Sequence, residues 1–259
     1  MRKIVLSALA ALTLTAGAAQ AAGNAPKPEA QDWTFNGLFG NYDEAQLKRG
    51  FQIYREVCGG CHSLRLVAYR NLEAIGFTKD EIKEIAAEYE LPAGPNEDGE
   101  ILEDGELRMR SAKPFDKFVP PFANEMAAKA GNGGALPPDL SLMNKSRVSG
   151  PDYVYALLTG YLEEAPEGVE IPDGMYYNKY FPGHQISMAP PLDAETVEYE
   201  DGTEPTLENH AKDIVAFMNW AAAPELEERK SLGIKVMLFL ILLTAMFYAL
   251  KKRIWADVH

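Results

Sequence analysis

The pentapeptide Cys58-Gly59-Gly60-Cys61-His62 constrains this chain more than any other feature, because it holds both cysteines of a 259-residue sequence. Two thiols three positions apart, followed at once by an imidazole, leave few chemistries open. A thioredoxin-like redox couple wants a βαβ setting that the sequence lacks. A zinc site needs two further ligands, and His184, His210 and His259 show no paired ligand spacing. The remaining reading is the attachment of one covalent haem c. Cys58 and Cys61 add to its two vinyl groups, and His62 is held beneath the iron.

Both ends of the chain point to a membrane. Arg2 and Lys3 precede an apolar run from Ile4 to about Leu14 and small residues ending in Ala19-Gln20-Ala21, the pattern of a secretory signal peptide cleaved after Ala21 or Ala22. As an uncleaved anchor this run is too short, since a span needs about 20 residues. At the other end, Val236 to Leu250 carry no charge, and Ser231 to Ile234 with a snorkelling Lys235 extend that run to spanning length. The cluster Lys251-Lys252-Arg253 places the C-terminus in the cytoplasm by the positive-inside rule. A core helix is the alternative, but nothing after residue 253 is long enough to cover it. The expected organisation is therefore a signal peptide at 1–21, an outside haem c domain at 22–228, a transmembrane anchor at 229–253 and a cytoplasmic tail at 254–259.

Charge separates the same way. The whole chain has 25 basic and 38 acidic residues, but 22–228 alone holds 17 and 37, a net of −20. Such a field excludes nucleic acid as a partner and steers a basic protein at rates that fall with salt. The acids cluster at 97–106, 163–170 and 193–208. Any single cluster reads equally well as a solvated loop.

The fold expected is mainly α: a c-type cytochrome domain with long loops plus one C-terminal transmembrane helix. Leu47, Phe51 and Tyr54 fall at helical spacing after Asp43, a residue suited to cap a helix that leads into the cysteine motif. Thr78-Lys79-Asp80-Glu81 reads as a capping box opening a helix to about Tyr89, and Pro151 or Asp152 opens another to about Tyr161. Leu207, Ala211, Ile214, Val215 and Met218 mark an amphipathic helix on the haem side of the core, with Pro224 permitting a kink before the anchor. Residues 91–120 and 163–205 read as loops rich in Gly, Pro and acid.

The sixth iron ligand decides what a covalent haem does. A closed sixth position favours electron transfer, and an open one permits catalysis or sensing. Outside the expected anchor the chain offers Met109, Met126, Met143, Met175, Met188 and Met218. Met188 stands out because Pro190 and Pro191 stiffen its loop, and His184 and Met175 are its rivals. The stretch from Gly131 to Leu140 allows close backbone approach to a flat cofactor, and Arg147 after it can pair with a haem propionate. Read alone, that stretch is equally a surface loop. A membrane-anchored haem enzyme or sensor with a displaceable sixth ligand therefore stays open.

These motifs together resemble the cytochrome c1 family, the haem-bearing subunits of ubiquinol–cytochrome c oxidoreductase (respiratory complex III). The resemblance runs through Arg49-Gly50-Phe51-Gln52-Ile53-Tyr54 into Cys58–His62, through Gly133-Gly134-Ala135-Leu136-Pro137-Pro138-Asp139-Leu140-Ser141, and through Asp152-Tyr153-Val154-Tyr155-Ala156-Leu157-Leu158-Thr159-Gly160-Tyr161. It continues through Tyr180-Phe181-Pro182-Gly183, Met188-Ala189-Pro190-Pro191 and Phe217–Glu225, in the family's order. It implies His62 and Met188 as the two metal ligands, Arg147 as a propionate partner, and Pro138 and Tyr153 in the haem pocket. It further implies a redox subunit with no catalytic residues of its own, a cytochrome b subunit and the Rieske iron–sulfur protein as partners, and a basic cytochrome c as acceptor. A dimeric complex in a bacterial inner membrane, with the haem domain in the periplasm, completes the implication. One departure stands out: some bacterial members carry an extra disulfide near the distal-ligand loop, and no cysteine here is free to form it.

Overall fold

The computed structural model describes residues 25–257, so the expected signal peptide lies outside the described residues. Helix α1 (Glu44–Glu56) begins where the Asp43 carboxylate accepts the Gln46 N–H at 3.1 Å, filling one of the four donors that every helix start leaves open. It buries Leu47, Gly50, Phe51, Ile53 and Tyr54 on one face. Helix α2 (Lys79–Ala87) opens on the expected box, with Thr78 Oγ1 accepting Glu81 N–H at 3.3 Å and the Glu81 carboxylate accepting Thr78 N–H at 2.7 Å. Shorter helices α3 (Glu125–Gly131) and α4 (Met143–Ser146) follow, then α5 (Pro151–Thr159), with its proline in the first turn, and α6 (Leu207–Ala222).

The domain is organised by α1 lying across α6. Gly50 sits at the crossing, where an added Cβ would run into the Asp213 carbonyl and the Phe217 Cβ of α6, so the missing side chain sets how closely the two backbones approach. Phe51, Tyr54 and Phe217 then interlock with Phe77 and Phe118, ring centroids 5.2–6.1 Å apart. Asp213 is only 2% exposed, a placement that requires a partner for the carboxylate. Arg49 Nε supplies it at 2.7 Å and Gln46 Nε2 adds a second donor at 3.0 Å, both from α1.

Two stretches expected as loops contain paired strands. Within 91–120, β1 (Glu90–Pro92) pairs antiparallel with β4 (Met109–Ser111), and inside that pair β2 (Leu102–Glu103) meets β3 (Glu106–Leu107). The tip is Asp104-Gly105 with φ of 51° and 84°, the left-handed pair that a two-residue hairpin turn needs. Within 163–205, β5 (Tyr176–Tyr177) pairs with β6 (Gln185–Ile186), placing Tyr176 opposite Ile186. These strands are two or three residues long, too short for alternation to show. Helices α3 and α4 are also too short to carry a readable apolar stripe, and the 3-10 helix at Tyr69–Ile75 buries Tyr69, Leu72 and Ile75 at a three-residue spacing confined to seven residues.

Pro224 does more than bend the chain. Helix α6 stops at Ala222, and a separate α7 (Leu226–Ile254) begins two residues beyond the proline. At about 1.5 Å per residue the 29 residues of α7 exceed the roughly 30 Å of a hydrocarbon core. The uncharged run from Val236 to Leu250 is exposed along almost its whole length, as a lipid-facing helix requires. Its first turns are tied to the domain: Lys230 Nζ donates to the Phe35 and Gly40 carbonyls at 2.7 Å each, and Glu227 accepts Tyr42 N–H at 2.7 Å. The architecture is mainly helical, with one C-terminal helix long and apolar enough to cross a membrane.

Candidate haem site

Helix α1 delivers the chain directly into the cysteine motif. Cys58–Gly60 forms a 3-10 turn closed by Cys61 N–H and His62 N–H donating to the Cys58 carbonyl at 3.2 and 2.8 Å. Gly59 is demanded here, since a Cβ would stand 2.9 Å from the Tyr54 carbonyl oxygen. Burial and the neighbouring Cys61 push the Cys58 thiol up to about 12. Disulfide-exchange enzymes shift that value in the opposite direction, to make a thiolate. Among the described residues no group of three or more His, Cys, Asp or Glu side chains gathers as a metal site.

His62 is oriented by a neighbour from far along the chain. Its Nδ1 lies 2.8 Å from the Pro138 carbonyl, which has no proton to give, so Nδ1 carries the hydrogen and Nε2 presents a free lone pair. Burial lowers the imidazole's affinity for a second proton, against the opposing pull of that carbonyl and of Asp139. A neutral ring with its outer nitrogen free is the form that ligates iron. Pro138 thus acts through its backbone oxygen.

The strap bearing Pro138 is sewn to the segment after the motif. Asp139 accepts from Ser63 Oγ at 2.8 Å, Arg65 N–H at 2.9 Å and Ser141 N–H at 2.9 Å, while Leu140 N–H donates to the Ser63 carbonyl at 2.9 Å. Burial alone would raise the Asp139 carboxyl, but these donors hold it below its ordinary value. Of the Gly131–Leu140 stretch, Gly131 ends α3 and Pro138–Leu140 are bonded to the segment 62–65.

Arg147 ends α4 with its side chain in solvent, and among the described residues no carboxylate lies within ion-pair distance of its guanidinium. Ser149 and Gly150, at φ of 68° and 52°, turn the chain from there into α5. Tyr153 on α5 is half-buried; burial raises its hydroxyl, and the charge of Arg147 acts against that rise.

The methionines separate by environment. Met109 and Met126 are exposed and Met218 is buried in α6, leaving Met143, Met175 and Met188 half-buried. His184, at φ 61°, stacks on Tyr177 with Nδ1 3.3 Å from the Asn178 carbonyl, so its ring is occupied within the β5–β6 hairpin. Met188 comes just after that hairpin, and Tyr161 Oη donates to its backbone carbonyl at 3.0 Å. Asn178, wholly buried, donates to the Leu157 carbonyl at 2.8 Å and accepts from Tyr180 and Phe181 N–H, fastening the hairpin to the end of α5. Neither Tyr161 nor Asn178 was singled out by sequence reasoning; the turn preference of asparagine is the one local signal for the second, and nothing local marks the first.

These residues suit a covalent haem c: paired cysteines in one turn, an oriented neutral imidazole, a solvent-exposed guanidinium and a half-buried thioether in a stiff loop. A family model described as the Cytochrome C1 family matches residues 33–258. The chain is 49% identical to "Cytochrome c1" of Rhodospirillum rubrum, the match covering 100% of this chain and 99% of that protein. It is 45% identical to "Cytochrome c1, heme protein, mitochondrial" of Saccharomyces cerevisiae, over 95% of this chain and 78% of the relative. "Cytochrome b/c1" of Bradyrhizobium diazoefficiens is 43% identical over 93% of this chain and 37% of its own length.

Proposed function

The chain belongs to the cytochrome c1 family, and on that premise we propose that it carries one electron at a time, from the Rieske iron–sulfur protein to a basic cytochrome c. It is a haem-bearing electron-transfer subunit of the cytochrome b–c1 complex, where it assembles with cytochrome b. The bound haem c supplies a single iron that takes up and releases one electron.

This chain's residues set the terms of that transfer. Fast transfer requires the same geometry in both oxidation states, and two fixed axial ligands in a poorly hydrated pocket provide it. His62 is the proximal ligand, held in one orientation by the Pro138 carbonyl; that 2.8 Å contact is the observation that carries the proposal. Met188 is the distal ligand, and thioether ligation raises the potential into the range suited to an acceptor downstream of quinol. Cys58 and Cys61 hold the haem covalently, Arg147 pairs with a propionate and Tyr153 lines the pocket.

The acidic surface of 22–228 gathers a basic cytochrome c at the exposed haem edge. Helix α7 anchors the subunit once in the inner membrane, with the haem domain in the periplasm, the tail in the cytoplasm and the complex dimeric. The test is stopped-flow spectroscopy on membranes holding the complex. Added quinol should reduce this haem, and the onward rate to a basic cytochrome c should fall steeply as salt rises. A haem that quinol leaves oxidised overturns the proposal.

A further inference from the structure

The segment Ser187–Leu192 has almost no polar structure of its own. Pro190 and Pro191 have no N–H, and among the described residues one hydrogen bond reaches the segment, from Tyr161 Oη to the Met188 carbonyl at 3.0 Å. Its flanks are held elsewhere. Upstream, Ile186 pairs with Tyr176 in β6, and downstream His210 of α6 places Nδ1 2.9 Å from the Asp193 carbonyl. Between those flanks Leu192 packs into the core, and among the described residues the one hydrogen bond to the chain around the two prolines is that at Met188.

Tyr161 is itself well fixed. It forms an isolated antiparallel bridge with buried Asn178 just past the end of α5. Gly160 before it accepts from Lys179 N–H at 2.9 Å, and a Cβ there would stand 2.6 Å from the Tyr180 ring, so the joint has no slack. The tether therefore links a segment with little hydrogen bonding of its own to a closely packed corner of the fold.

We propose that Tyr161 is a positioning residue for the distal ligand: its hydroxyl fixes the Met188 carbonyl and so keeps the thioether from swinging away from the iron. The proposal rests on Met188 being that ligand. It supplies by one hydrogen bond the restraint that a loop disulfide would give by a covalent link, in a chain whose cysteines are both in the haem motif. A side-chain bond to a backbone carbonyl is worth enough to change the open-to-ligated ratio roughly three- to tenfold.

The test compares Tyr161→Phe, Met188→Leu and Tyr155→Phe in the intact membrane complex, reading carbon monoxide binding to the reduced haem and the far-red thioether-to-iron band of the oxidised haem. Tyr155→Phe removes the same atom from a neighbouring tyrosine whose hydroxyl makes no hydrogen bond to the ligand loop. Met188→Leu should abolish the far-red band and open the haem fully to carbon monoxide. Tyr161→Phe should keep the band but speed carbon monoxide binding roughly three- to tenfold, while Tyr155→Phe leaves it unchanged. If Met188→Leu opens the haem and Tyr161→Phe binds carbon monoxide no faster than wild type, the positioning role is overturned alone, even if its thermal stability falls. If Met188→Leu leaves the band intact and the haem closed to carbon monoxide, the ligand assignment itself fails.

Discussion

Of the two ligands proposed, His62 closes a five-residue turn and has its ring held 2.8 Å from a carbonyl, whereas Met188 sits in a six-residue segment reached, among the described residues, by one hydrogen bond. The first side is local and covalent, built by α1 and its continuation with a single strap from 137–141. The second is assembled at a distance, by the end of α5, the β5–β6 hairpin and a histidine of α6. On the function proposed, the haem's attachment and its redox tuning would rest on separable parts of the fold. Damage to the first should act as all or none, and damage to the second should be graded.

The largest effect belongs to the attachment turn. Replacing Cys58 and Cys61 together with Ala should leave no covalent haem on a denaturing gel, whereas any distal-side change should leave the stain intact. Next comes Met188→Leu, which should retain the haem yet lower its midpoint potential by on the order of 0.1 V or more, within the roughly 0.8 V that axial ligands command. An unchanged potential would erase the distinction between the two sides.

Gly50→Ala sharpens the comparison from outside it, because the α1–α6 crossing supports both sides. Forcing a methyl against the Asp213 carbonyl should cost about 1–3 kcal/mol in thermal unfolding, with the potential of the folded protein unmoved. The smallest effect is expected for Asp139→Asn, about 1 kcal/mol at neutral pH, since it weakens several donors' bonds without removing the strap. Its sign against pH is set by the lowered carboxyl. The contribution is complete above the ordinary carboxylate value and disappears as pH falls through the lower folded-state value, so the melting temperatures of variant and wild type should converge in acid.

Legibility in the sequence tracked the range of the interactions. Asp43, Thr78 and Pro151 announce helices because a cap is decided within four residues, and each helix starts where those signals put it. The cysteine motif is legible for the same reason. The hairpin at 90–111 had one local signal, Asp104-Gly105, submerged in acidic and Gly-rich sequence whose composition reads as loop. Pro224 read as a kink because a proline's effect depends on the residues beyond it, and here the chain starts a new helix. Pro138 entered only through the family resemblance and not as the carbonyl that orients His62, and Tyr161 was not legible as a tether. Both contacts join residues separated in sequence, by 76 and 27 positions, and no local pattern encodes them.

Two fixed axial ligands that close this haem for electron transfer from the quinol side are the central claim. Its most direct test is a potentiometric titration of the haem spectrum in native membranes, with and without carbon monoxide. A low-spin haem of positive midpoint potential that ignores carbon monoxide is the predicted result; a high-spin haem, a strongly negative potential or ready carbon monoxide binding would contradict it.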